Sequence, residues 1–152
     1  MKIIPAIAAA LLLLAAVPVA AHNTRHFSAG EPGDAKKPAR TVKVSMEEDG
    51  KRMFFEPASI VVRKGEQIRF KMFNAGTEDH EFVLATVKEN LKHAAAMKKN
   101  PHMEHRDPNA ITLSPFDNGE LVWKFSKAGT FEFGCLIPGH REAGMYGTVV
   151  VK

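Results

Sequence analysis

The stretch "ELVWKFSKAGTFEFGC", residues 120–135, constrains the fold most. Leu121, Trp123 and Phe125 alternate with other residues, a turn falls at Ala128-Gly129, and Phe131 and Phe133 resume the alternation. Side chains of a strand point to opposite faces with period two, so this pattern predicts a hairpin with one apolar face. The pattern recurs. "TVKVSM" places Val42, Val44 and Met46 on one face. "SIVVRKGEQIRFKMFNAG" gives a short apolar run, a Lys64-Gly65 turn, and then Ile68, Phe70 and Met72 on one side. "HEFVLAT" and "YGTVVVK" read as further strands, and "AITLSPF" as a weaker one. Short alternating strands between turn residues predict an all-β domain, a sandwich or small barrel. One segment breaks the pattern. "VKENLKHAAAMKKN", residues 87–100, is rich in helix formers and is stopped by Asn100-Pro101. A loop dense in His and Met, "PHMEHRDPNA", follows. The β-domain, 41–152, is thus expected to carry an insertion at 87–109.

The N-terminal part reads differently. Residues 1–21 have the form of a secretory signal peptide: Lys2, an apolar run from Ile3 to Val19, and a small-residue cleavage site at Val19-Ala20-Ala21. The run is short and is broken by Pro5 and Pro18, which disfavours a membrane anchor. The expected product is exported to a bacterial periplasm and begins at His22. Residues 22–40, polar and interrupted by Gly30, Pro32, Gly33 and Pro38, read as a flexible leader. The remainder suffices for one core and falls short of two. Lys and Arg number 21 against 17 Asp and Glu, scattered among one another without a basic run, which argues against nucleic acid as a partner.

The chain has one cysteine, so no intramolecular disulfide is possible. A lone thiol in an oxidising compartment is buried, paired between chains or bound to metal. Cys135 is followed at five-residue intervals by His140 and Met145. Cys135 shares strand parity with Phe131 and Phe133, so its thiol faces the core at the strand's end. Pro138 and Gly139 turn the loop, and Gly144 and Gly147 return it into the last strand. A second imidazole is available from His80, at the start of "HEFVLAT". Two His, one Cys and a weak Met describe a type 1 copper site, with a long axial thioether.

The segment "FEFGCLIPGHREAGMYGTVVVK" resembles the C-terminal copper loop of the cupredoxins, and its Cys-x4-His-x4-Met spacing is most similar to rusticyanin-type loops. "VRKGEQIRFKMFNAGTEDHEFVL" resembles the family's strand, turn and first-ligand strand. The likeness covers about residues 41–86 and 110–152. It implies a Greek-key β-sandwich, with His80, Cys135, His140 and Met145 as copper ligands. Many cupredoxins have Asn or Ser after the first His, where this chain has Glu81. The long insertion resembles that of periplasmic cupredoxins linked to bacterial copper tolerance.

The insertion also offers donors of its own. His93 and Met97 share a helix face, and His102, Met103 and His105 sit close by in sequence. A second, weaker copper site is one reading. Packing of Met97 beneath the helix, with solvated histidines, is the other. An N-terminal clamp using His22 and His26 is a third possibility. Two functions follow: a copper-binding protein serving tolerance, with a Cu(I)/Cu(II) centre, or a soluble one-electron carrier. The partner would be a periplasmic redox protein or a copper-handling protein, and the chain a monomer off the membrane. An enzyme is not expected, since multicopper oxidases need further domains and His-x-His pairs.

Overall fold

In the computed structural model, which describes residues 26–100 and 107–152, ten strands form two five-stranded sheets. The first is ordered β1 (Glu31–Pro32), β8 (Asn118–Lys124), β5 (Gln67–Asn74), β2 (Arg40–Asp49), β3 (Arg52–Glu56). The second is ordered β4 (Ser59–Val62), β10 (Tyr146–Val151), β9 (Gly129–Gly134), β6 (His80–Ala85), β7 (Ala110–Leu113). β2 and β5 run parallel, as do β4 and β10, and the other pairings are antiparallel. The expected all-β sandwich is observed. Its core follows the alternation: Val44 and Met46 from β2, Ile68, Phe70 and Met72 from β5, Leu121 and Trp123 from β8, and Phe131 and Phe133 from β9 are all buried.

β6 is buried on both faces. Phe82 and Leu84 face the core between the sheets. Glu81, Val83 and Ala85 have the opposite parity, and helix α1 (Val87–Lys99) covers that side through contacts with β6 and β9. Thr86 and Glu89 close a capping box at its start, so the chain turns from strand to helix within one residue. Met97 is buried and Asn90 is 1% exposed. The insertion's helix is therefore packed onto the second sheet.

Two elements depart from the sequence expectation. β3 was not foreseen, yet Phe55 on it is fully buried and meets Phe133 edge-on at 5.3 Å. The supposed flexible leader is, from Phe27 on, part of the fold. Phe27 lies edge-on against Trp123 at 5.3 Å, Ala29 is fully buried, and β1 pairs with β8. The reason is a buried indole: the Trp123 Nε1–H needs an acceptor, and the Ala29 carbonyl receives it at 3.2 Å. Residues 1–25, which include the expected signal peptide and His22, lie outside the described residues.

Candidate metal centre

His80 opens β6 with the inward parity of Phe82, and Cys135 directly follows β9 with the inward parity of Phe133. The two strands are neighbours, so both side chains reach the same end of the sandwich. The loop from Cys135 to Met145 is zipped at its base. The Cys135 N–H donates to the Met145 carbonyl at 3.0 Å, and the Met145 N–H donates to the His140 carbonyl at 3.1 Å. This folds His140 back over Cys135. His80 Nδ1 and His140 Nδ1 stand 3.1 Å apart, and Cys135 Sγ is 3.4 Å from His140 Nδ1. All three donor atoms lie within 4.8 Å of one another. Cys135 and His80 have no exposed surface, and His140 is 6% exposed. Met145 is fully buried, and its backbone is bonded to both Cys135 and His140.

Two imidazole nitrogens and one sulfur converging in a buried site make a donor set that fits copper in both oxidation states. The imidazole and the thiol differ in how ready they are for a metal. Burial, and then the neighbouring His140, lower the His80 pKa below its ordinary value, which favours the neutral imidazole a metal requires. Burial pushes the Cys135 thiol up to about 12, although N–H groups of Glu81 and Ile137 point at the sulfur and oppose the rise. The thiol therefore holds its proton at neutral pH until a cation displaces it. Copper uptake should release that proton, so affinity is expected to fall about tenfold for each pH unit lowered between about pH 9 and pH 7. Competition titration against a chelator corrected for its own protonation measures this, and a pH-independent affinity would argue against a thiolate ligand.

Residues around the donors fix them, and most were not legible as site residues. Asn74, fully buried, donates to the carbonyls of Glu78 (2.8 Å) and Leu113 (3.0 Å) and accepts the Gly76 N–H (2.9 Å), which pins the turn leading to His80. Glu48 accepts from that turn and from His80 Nε2 at 3.0 Å. Burial works to raise the Glu48 pKa, but hydrogen bonds from Glu78, Thr77 and His80 outweigh it, and the carboxyl sits below its ordinary value. Glu78 reaches His140 Nε2 at 3.3 Å. The Glu81 N–H points at Cys135 Sγ at 3.3 Å, so at this position the backbone, rather than an Asn or Ser side chain, ties the strand of His80 to Cys135.

The helix is tied to the loop that carries Cys135 and His140 as well. Buried Glu132 accepts from Arg141 Nη2 at 2.7 Å and from Asn90 Nδ2 at 3.1 Å, and Lys98 pairs with Glu142. Arg141 and Glu142 directly follow His140, so both bridges act on the loop that carries it. The signal for Glu48 was parity: it continues the inward face of Val44 and Met46, where a carboxylate needs partners.

The proposed second-site residues are separated by burial. Met97 is buried beneath the helix, whereas half-buried His93 lines a cavity of about 180 Å³ that His26, Glu89 and Asp107 also line. His102, Met103 and His105 lie outside the described residues. Among the described residues, the one group bringing three His, Cys or carboxylate donors together is His80, Cys135 and His140.

Residues 41–152 match the family of copper binding proteins of the plastocyanin/azurin type. The chain belongs to that family, the cupredoxins, and copper is its cofactor. It is 52% identical over 123 residues to the "Copper-resistant cuproprotein CopI" of Rubrivivax gelatinosus, covering 81% of this chain and 73% of that protein. It is 30% identical to the protein of the same name from Pseudomonas aeruginosa, covering 81% of this chain and 82% of that one. Among solved structures it resembles auracyanin B, with a TM-score of 0.65 and 24% identity over 81% of this chain and 96% of that one; this likeness concerns the fold.

Proposed function

We propose that His80, Cys135 and His140, with Met145, hold one type 1 copper, and that the protein binds copper in the periplasm and serves copper tolerance. The convergence of the three donor atoms within 4.8 Å carries the reading of the site. The likeness to two proteins named copper-resistant cuproproteins, each over 81% of this chain, supports the role. Copper, when bound, supplies a one-electron Cu(I)/Cu(II) couple.

The chain's own part is to hold the donors still. Cys135 gives up its proton and offers a soft thiolate. His80 and His140 offer Nδ1 nitrogens that stand 3.1 Å apart, and the zipped loop keeps His140 in place. Buried donors exclude water from the site, which suits a protein that retains its metal. The protein that delivers or receives copper would be another periplasmic copper-handling protein.

The second reading, a soluble one-electron carrier, is favoured by one observation. His140 presents Nε2 outward, next to Glu78, whose side chain is 58% exposed. This edge would be the electron's route to a redox partner.

The test is growth on copper after gene deletion. Deletion should lower tolerance, wild type should restore it, and Cys135→Ser should fail to do so. Unchanged tolerance in the deletion strain would move the electron-carrier reading to first place.

A further inference from the structure

We propose that Glu48 is the positioning residue of this centre: it sets the orientation of His80 and biases the site toward Cu(II). The proposal rests on the copper reading above.

Glu48 lies on β2, in the sheet that carries none of the three donors. One residue pair past the core residue Met46, its side chain reaches across the end of the sandwich to the turn before His80. Its Oε1 accepts the Thr77 N–H at 2.9 Å, the Glu78 N–H at 3.0 Å and His80 Nε2 at 3.0 Å, and its Oε2 accepts the Thr77 hydroxyl at 2.9 Å. The turn is shaped around this carboxylate. A Cβ at Gly76 would stand 2.2 Å from Glu48 Oε1 and 2.9 Å from His80 Nε2, so a side chain there would displace both.

The tautomer follows from the geometry. His80 Nδ1 faces His140 Nδ1 at 3.1 Å, on the side of Cys135. A metal taken at Nδ1 leaves the ring proton on Nε2, and Glu48 is the acceptor found there. The His80 ring is fully buried, so an Nε2–H without an acceptor would be left without solvent as well. A carboxylate behind a ligand imidazole fixes the ring and raises its basicity. Its negative charge also favours the more positive copper ion by simple Coulomb attraction, strengthened where solvent is excluded. Glu48 itself is half-buried, with 18% of its side chain exposed.

A purely structural role would stop at bracing the Thr77-Glu78 turn. Glu48→Gln separates the two, because an amide oxygen accepts the same N–H bonds at the same reach without the charge. If Glu48 acts on the metal, Glu48→Gln keeps the copper and the visible band but shows a higher reduction potential than wild type. Glu48→Ala, which loses the brace as well, should bind copper about 10–100-fold more weakly. In the Cu(I) protein, a slowly exchanging proton on His80 Nε2 should be seen by nitrogen-15 NMR and should exchange faster in Glu48→Ala. A potential in Glu48→Gln equal to or below that of wild type overturns the proposal, as does an unprotected Nε2 proton in wild type. A wild-type protein without a thiolate-to-copper band would instead defeat the copper reading itself, and it is read before either variant.

Discussion

Cys135→Ser is expected to abolish the intense visible absorption of the Cu(II) protein. That absorption arises from charge transfer between a thiolate and copper, and Cys135 is the chain's one cysteine, so no other thiolate can stand in. A serine hydroxyl in a fully buried position keeps its proton far more firmly than a thiol and is a poor partner for Cu(I). The substitution changes little else. The Glu81 N–H, which points at the sulfur at 3.3 Å, still finds an acceptor in the hydroxyl, and the Cys135 backbone remains bonded to Met145. The metal-free variant should therefore fold as wild type does. Absorption spectra of copper-loaded protein, beside thermal unfolding of both metal-free proteins, make the comparison. A folded variant that retains the band would remove Cys135 from the site.

The second large effect is on stability. Phe82→Ala should destabilise the metal-free protein by about 3–5 kcal/mol, the range for deleting a buried aromatic ring. Phe82 is fully buried and packs against three other rings: Phe133, stacked at 5.1 Å, Phe70 at 5.2 Å, and Phe55 edge-on at 5.9 Å. Those partners come from both sheets, so a cavity there loosens the contact between layers rather than a single strand. Against a total of about 5–15 kcal/mol for a typical domain, the loss is large enough to leave part of the chain unfolded. The position bears on function too. Phe82 is two residues past His80 and Phe133 two before Cys135, so the stacked pair forms the floor on which both donors stand. Denaturant unfolding of the metal-free variant measures the effect, and a loss below about 1 kcal/mol would contradict this account of the core.

The strands with strict alternation were legible because burial of one face demands it. β2, β5 and β8 show their buried residues at every second position, and β9 keeps Phe131 and Phe133 in that register although Glu132 between them is buried as well. β3 escaped because "RMFFE" does not alternate cleanly, although Asp49-Gly50 ahead of it is a hairpin signal. Residues 27–40 escaped because their polar composition conceals two anchors, Phe27 and Ala29, whose use depends on Trp123, nearly a hundred positions away.

The candidate site divides in the same way. Cys135, His140 and Met145 lie on one loop, so their spacing is visible in the sequence. His80 opens a strand with inward parity, which singles it out from the histidines of the insertion. Glu48 is drawn to the site by tertiary contacts alone, and so is the pairing of Glu132 with Arg141 and Asn90. In the sequence Glu48 is one acid in "MEEDG", and only its parity with Met46 sets it apart. Glu132 looks like an exposed residue of a hairpin until the helix covers that face and Asn90 and Arg141 bind its carboxylate.

X-ray absorption at the copper edge of the loaded wild-type protein tests the central claim most directly, since it counts the atoms that touch the metal. The proposed site predicts one thiolate sulfur and two imidazole nitrogens in the nearest shell, with the sulfur contribution gone in Cys135→Ser. A nearest shell of nitrogen and oxygen alone in wild type would place the copper elsewhere and contradict the account.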